Sequence, residues 1–381
     1  MNKKLFFFLK AYYLFINLLF IYKYCLRQSF VPVVALVLGY FLIAGFLLYK
    51  DIFSFDFIQR INLKIVYKTL CIFILISIFL VLFFTDGTTL KVDRWSAMDV
   101  AIRALLNGDY PYTATDHVNN KSSNFPGLSL IGIPFYLLGN VGYLQVFAFA
   151  LLSYTLYKTL AINKAFRFIV LLLIAPAYWW EIFAISDLVS NIILVFCFIV
   201  LIKYHFKDTI FKYPILLGIT TSVLVLTRGV VAIPLVLFVF APFFKIKLSD
   251  QIKYSISFAT TLIFLITLVL INCPDLETLK YYNPFVLQTA QTPNYIIVLA
   301  LAAPFYLSFK IKKFNFEFYT ITSIIIGLVV LISLIFEVYS TGIDDLFYKN
   351  SFDLSYLSLV LPFILMTLVN EKIITTKTQK S

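Results

Sequence analysis

The chain has 381 residues, of which 61% are hydrophobic and 13% charged, and its mean hydropathy is +0.94. A soluble protein of this length could not hide so much apolar surface, which excludes a water-soluble globular fold. The net charge of +12 would suit a nucleic-acid binder, but the basic residues sit in short segments between apolar runs, so nucleic acid is excluded as a partner.

Runs of roughly 16–20 apolar residues recur from end to end, the length that crosses a bilayer core as helix. They are too long and too evenly apolar for barrel strands, and backbone in lipid must satisfy its hydrogen bonds within the segment. The expected fold class is all-α, a polytopic transmembrane helical bundle. The first run, residues 5–22, lacks a small-residue cleavage site and reads as an anchor rather than a removed signal peptide. Runs follow at 30–49, 65–84, 127–157, 166–180, 187–204, 213–227, 229–244, 254–271, 294–309, 318–336 and 354–369, giving about twelve spans. The run at 127–157 is long for one crossing, and Pro134 with the Gly139–Gly142 break predicts a bend in it.

With the amino terminus inside and the spans alternating, the inner side receives more than twice the Lys and Arg of the outer side, and the acids go the other way. Both termini are then cytoplasmic. Residues 85–126, 179–186, the turn at Arg228, 272–293 and 337–353 lie outside. The expected localisation is a multi-pass protein of the inner (plasma) membrane. The chain shows no repeat of fixed period and no appended soluble domain, and it ends in the polar stretch 372–381.

Residues 85–126 form the longest polar run, holding Asp86, Asp93, Asp99, Asp109 and Asp116 with Lys91, Arg94, Arg103 and Lys121. Within it Trp95, Met98, Ile102, Leu105 and Leu106 recur at helical spacing. Ser96 with Asp99 reads as a capping-box start and Gly108 as a stop, predicting a short amphipathic helix on the membrane surface. Asp93 would then lie upstream of the cap with its carboxylate free. Asp99 fits a structural pairing with Arg103 at i+4. Asp109 and Asp116 read as solvated turn acids, and His117 as an exposed loop residue.

No GxxxxGK[ST], GxGxxG, GxSxG or DxD is present, and the two histidines, His117 and His205, fall on opposite sides. Cys25, Cys71, Cys197 and Cys273 have no metal spacing. Cys71 and Cys197 read as apolar fillers, while Cys25 and Cys273 share the outer side, where a bridge is one reading. What remains for chemistry is carboxylates, arginines and aromatics at the outer face.

The run DRWSAMDVAIRALLNGDYPY followed by SSNFPGLSLIGIPFYLLG resembles the first outer loop of the GT-C glycosyltransferases, multi-span enzymes that use polyprenyl-phosphate sugars. The positions carrying the likeness are Asp93, Ala101, Ala104, Leu106, Gly108, Pro111, Tyr112, Pro126 and Pro134, closest in detail to bacterial mannosyltransferase-like members. EIFAISDLVSN, with Glu181, Ser186 and Asp187, resembles the acid-bearing second outer turn. LTRGVVAIPL places Arg228 at an outer helix end, and LKYYNPFVLQ lies where the family's second large outer loop meets the lipid phosphate. The likeness covers roughly residues 65–288. It implies a catalytic core over 65–293, preceded by two extra spans in 1–64 whose role it leaves open and followed by spans and a short tail in 294–381.

The resemblance implies Asp93 as general base for an acceptor hydroxyl attacking the anomeric carbon, with inversion. Arg228 is the leading cation for the leaving phosphate, then Lys280 and Arg103, with Tyr281 and Tyr282 as hydrogen-bond donors. Arg94, Tyr112, Glu181 and Asp187 complete the substrate-binding set; for Arg94, Arg103 and Arg228 snorkelling at the interface is the plain alternative, and for the tyrosines an aromatic belt. The implied partners are a polyprenyl-phosphate sugar donor carrying mannose or another hexose, a glycan or glycolipid acceptor, and membrane lipids. No cofactor is required, although Asp93 with Asp187 could hold a divalent metal. A transporter or flippase would want ionisable groups inside the spans, whose interiors here are nearly bare. A polymerase or ligase of lipid-linked glycans would want a large late outer loop, and 337–353 is short for one.

Overall fold

Helices form where the apolar runs lie, and their starts are marked by residues suited to that place. In the computed structural model, which describes residues 3–50, 61–312, 314–349 and 351–371, no strand forms among the described residues. The first helices are α1 (Lys3–Cys25), α2 (Val33–Tyr49) and α3 (Leu63–Phe84). The Asn62 side chain accepts from the amides of Lys64 and Ile65 and so opens α3. Then come α4 (Arg94–Asn107), α5 (Pro126–Leu137), α6 (Tyr143–Thr159), α7 (Ile162–Leu173), α8 (Pro176–Phe183), α9 (Leu188–Phe206) and α10 (Pro214–Val225). The chain continues through α11 (Ala232–Phe243), α12 (Leu248–Leu270), α13 (Leu276–Tyr281), α14 (Pro284–Thr289), α15 (Asn294–Ser308), α16 (Tyr319–Thr341) and α17 (Leu361–Val369). Pro126, Pro176, Pro214 and Pro284 each open a helix, where a missing amide costs no intrahelical bond.

Five helices among the described residues are long and apolar enough to cross a membrane. The count rises to seven if two bent pairs, α7 with α8 at 65° and the outer-loop helices with α15 at 68°, are each one span. Several shorter apolar helices accompany them. The protein is thus an all-helical membrane protein. The expected bend in 127–157 is present as the break between α5 and α6, where Gly139 takes φ +96. The expected tail 372–381 lies outside the described residues.

The most enclosed of the long helices is α9, with 67% of its central window buried, against 11% for α12. So α9 is the axis, and α12, packed along α10, is a peripheral rib with most of its surface uncovered. Around α9 stand α6, α11, α17 and the 3-10 turn Leu354–Val360. The α1–α2 hairpin packs on this body through α8 and α17.

Two polar layers cap the bundle. On one side Lys10 pairs with Glu371 at 2.7 Å, Lys164 donates to Asn370 at 3.0 Å, and Arg167 donates to the carbonyl of Leu48 at 3.1 Å. These are the ends assigned to the cytoplasm. At the opposite end of α1, the stretches assigned outside meet one another. Gln288 joins 272–293 to 85–126 by donating to the Ser123 carbonyl at 2.6 Å, and it accepts from the Gly229 amide at 3.0 Å. Asp353 donates its amide to Gln291 at 3.4 Å, bringing in the last outer stretch.

Candidate functional site

The layer formed by the stretches assigned outside, called the outer layer below, is built on α4. The helix starts one turn earlier than the sequence suggests: Asp93 occupies the cap position, without a side-chain capping bond, and Ser96 lies inside the first turn. Ser96 is not the cap because its hydroxyl is taken elsewhere, facing the Asp93 carbonyl at 3.1 Å and His117 Nδ1 at 2.5 Å. The other ring nitrogen of His117 donates to the Leu90 carbonyl at 2.6 Å. His117 is therefore a half-buried clasp between α4 and the loop before it, and not an exposed residue. At the other end Gly108 takes φ +79, a left-handed stop that a side chain would strain. Met98 and Ile102 pack over Gly132 of α5, while Leu106, expected on the same face, is exposed.

Asp93 is half-buried, and its Oδ2 accepts from the Asn120 side chain at 2.9 Å. Asp116, expected to be solvated, is buried and accepts from the amides of Val118 and Asn120, which shapes the turn that presents Asn120 to Asp93. Burial pushes the Asp116 carboxyl above its ordinary value, against those amides. Asp99 pairs with Arg103 at 2.6 Å, the structural pairing expected; burial still leaves its carboxyl above the usual range.

Arg94 reaches across the layer to Asp353, with its guanidinium 5.6 Å from the Tyr356 ring. The second Asp353 oxygen accepts from the Ser355 amide at 2.9 Å. Burial works against the charged Asp353, but Arg94 and the bonds from Ser355 outweigh it and hold the carboxyl below the usual range. Arg94 also lies in the field of Asp93 and Asp187.

Arg228 is not the lone outer cation that its position in the sequence suggests. Its Nη2 donates to Asp187 Oδ2 at 2.6 Å and to Asn124 Oδ1 at 3.2 Å, and the residue is buried. Its charge is consumed inside the protein. The Asp187 turn is strained, with Ile185 at φ +46, a conformation costly for a β-branched residue. Gln145 holds that turn by donating to the carbonyls of Glu181 and Ser186. Glu181 is 1% exposed and accepts from the Val189 amide and the Ser358 hydroxyl, each at 3.3 Å. Buried so, Glu181 and Asp187 support the layer from below.

The rim faces solvent. Lys280, Tyr281 and Tyr282 line an open depression with Glu277 and Thr278. Lys121, next to Asn120, lies 3.3 Å from the Tyr281 ring centre and 4.7 Å from that of Tyr282. Tyr112 packs with Tyr110 in a mainly apolar cleft of about 170 Å3, bounded also by Leu226, Val269, Leu279 and Phe285. Arg103 is exposed beside Asp99. Among the described residues no three His, Cys, Asp or Glu side chains gather as a metal site, and Asp187 is committed to Arg228. Cys25 and Cys273 are free thiols, so the bridge between them does not form.

Sequence reasoning missed Asn120, Asn124, Gln288 and Asp353. Each is a single polar residue in a polar loop, with no local signal of its partner. The chain matches no family model, no curated protein and no solved structure.

Proposed function

We propose that the protein is an integral-membrane glycosyltransferase of GT-C type, with about twelve crossings, working at the outer face of the plasma membrane. It moves a hexose, mannose or a close relative, from polyprenyl phosphate to a glycan or glycolipid acceptor. An acceptor hydroxyl attacks the anomeric carbon, its proton passes to the Asp93 carboxylate, and the bond from that carbon to the phosphate oxygen breaks with the electron pair leaving on phosphate. A single displacement inverts the centre. A carboxylate in hydrogen-bond reach contributes typically about 10²–10⁴-fold.

The observation that carries this reading is the setting of Asp93. It is half-buried at the head of an interfacial helix, held by one amide donor, Asn120, and followed by the Lys121–Tyr281–Tyr282 rim. One oxygen of the carboxylate is oriented by that bond, and a basic, aromatic rim beside it suits a lipid phosphate headgroup. With Arg228 bound to Asp187, Lys280 and Lys121 are the rim cations left to meet the carrier.

The test is Asp93→Asn in purified full-length protein supplied with polyprenyl-phosphate hexoses. The expected outcome is unchanged folding with transfer lowered by at least about 100-fold. Turnover near that of the native enzyme would remove Asp93 from the mechanism, and failure of every hexose donor with the native chain would end the reading.

A further inference from the structure

Asn120 reaches Asp93 from a short hairpin whose own bonds fix where that side chain starts. Thr115 and Lys121 pair as an antiparallel bridge that closes it. Inside, the Asp116 amide donates to the Asn120 carbonyl at 3.0 Å, and the Asn119 amide to the Asp116 carbonyl at 3.1 Å. Asn119 takes φ +64, a left-handed turn position that asparagine tolerates. Asp116 Oδ1 accepts from the amides of Val118 and Asn120, each at 2.9 Å, so one oxygen ties the hairpin together. The other oxygen of Asp116 is buried and has no partner among the described residues, and burial disfavours the charge of this carboxyl. What the hairpin takes from Asp116 is therefore one accepting atom, not a charge. The hairpin has a second seat on α4: His117 faces the Ser96 hydroxyl with one ring nitrogen and donates to the Leu90 carbonyl with the other. The bond from Asn120 to Asp93 is thus not what keeps the hairpin in place.

That bond acts on Asp93 instead. Oδ2 accepts from the Asn120 side chain at 2.9 Å, while Oδ1 has no hydrogen-bond partner among the described residues. We infer that Asn120 and Asp116 are positioning residues for Asp93: Asn120 holds Oδ2 so that Oδ1 is the oxygen that takes the acceptor proton, and Asp116 sets the turn that places Asn120. Asn120 is itself exposed, so its hold on Asp93 depends on the backbone fixed beneath it, which is the part Asp116 plays. A base held in one orientation meets the acceptor hydroxyl without first having to be turned toward it. Neither residue touches the reacting atoms, so their effects belong to turnover rather than to substrate binding, and vanish once Asp93 is gone. The inference rests on the glycosyltransferase reading for what Asp93 does, but not for how Asp93 is held.

The test is a mutant cycle on sugar transfer by purified full-length protein supplied with polyprenyl-phosphate hexoses. Asn120→Ala and Asp116→Ala are each expected to lower kcat by about 10- to 100-fold with KM nearly unchanged, the loss that a misplacement of about 1 Å brings. The double variant should fall no further than the worse single one, because both act through the same bond. Asp116→Asn keeps the accepting oxygen and should restore most of the rate lost in Asp116→Ala. In the Asp93→Asn background, neither alanine substitution should lower the residual rate. Asn120→Ala should also melt close to the native chain in detergent, since His117 keeps the hairpin seated. Native turnover in Asn120→Ala, additive losses in the double variant, or undiminished losses in the Asp93→Asn background would each overturn the inference while leaving Asp93 as the base. A large fall in the melting temperature of Asn120→Ala would overturn it as well, by making that bond a fastener of the fold. A native chain that transfers no hexose would end the glycosyltransferase reading and this inference with it.

Discussion

Arg228 and Asp187, 41 residues apart in the chain, meet at 2.6 Å with each side chain only 4% exposed. The pair fastens the turn before α9 to the turn between α10 and α11, and the Asn124 side chain adds the first outer loop. The second Asp187 oxygen and the Asn124 amide nitrogen are also buried, with no partner among the described residues.

Removing one member of such a pair strands a charge, which costs about 3–5 kcal/mol, whereas removing both costs far less. Arg228→Met is therefore expected to lower the unfolding midpoint in detergent steeply, and the double variant Asp187→Leu/Arg228→Met to recover most of the loss. A neutral Arg228→Met would show that water, and not the protein, solvates this pair.

Asp353 provides a pH signature. Its carboxyl is held below the ordinary value near 4, so it contributes stability at every pH above that value and loses it as pH falls through the lower, folded one. Asp353→Asn should melt lower than the native chain at neutral pH, by a margin that does not change between about pH 5 and 8. The margin should shrink in stronger acid. Melting curves of the two proteins across pH check this, and a gap opening only on acidification contradicts it.

At Gly127 the backbone of α5 comes close to that of α10. Its amide donates to the Leu226 carbonyl at 2.8 Å, and a Cβ there would stand 2.1 Å from the Val223 carbonyl oxygen. Backbone cannot yield as a side-chain tip can, so Gly127→Ala is expected to destabilise by about 1–3 kcal/mol and to loosen the outer loop that follows α4. An unchanged melting temperature would show that the two helices shift apart without cost.

The free thiols report sidedness. Cys25 and Cys273 are partly exposed near the ends assigned outside, while Cys71 and Cys197 are buried. A membrane-impermeant maleimide added to intact cells whose outer leaflet is accessible should label Cys25 and Cys273, and single Cys→Ser variants should each remove part of the signal. Labelling only after the membrane is breached would invert the assigned orientation.

Hydropathy alone set the class of this protein and placed most of its helices, because a bilayer imposes length and apolarity on each segment separately. It also grouped the stretches that meet in the outer layer, since alternation of spans is a counting rule. The bend at Gly139 and the stop at Gly108 were legible because glycine there answers a local backbone demand. The start of α4 was misread by one turn, because the Ser96 hydroxyl was claimed by His117, a residue that only the folded loop brings near.

Which charge meets which was decided by packing. Nothing local distinguishes Arg228, bound to Asp187, from Lys280, open on the rim, and nothing near Arg94 points to Asp353, 259 residues away. Polar residues at helix ends are interchangeable until the helices stand side by side, and only their final neighbours fix which are spent on the fold and which, like Lys280, stay open on the rim.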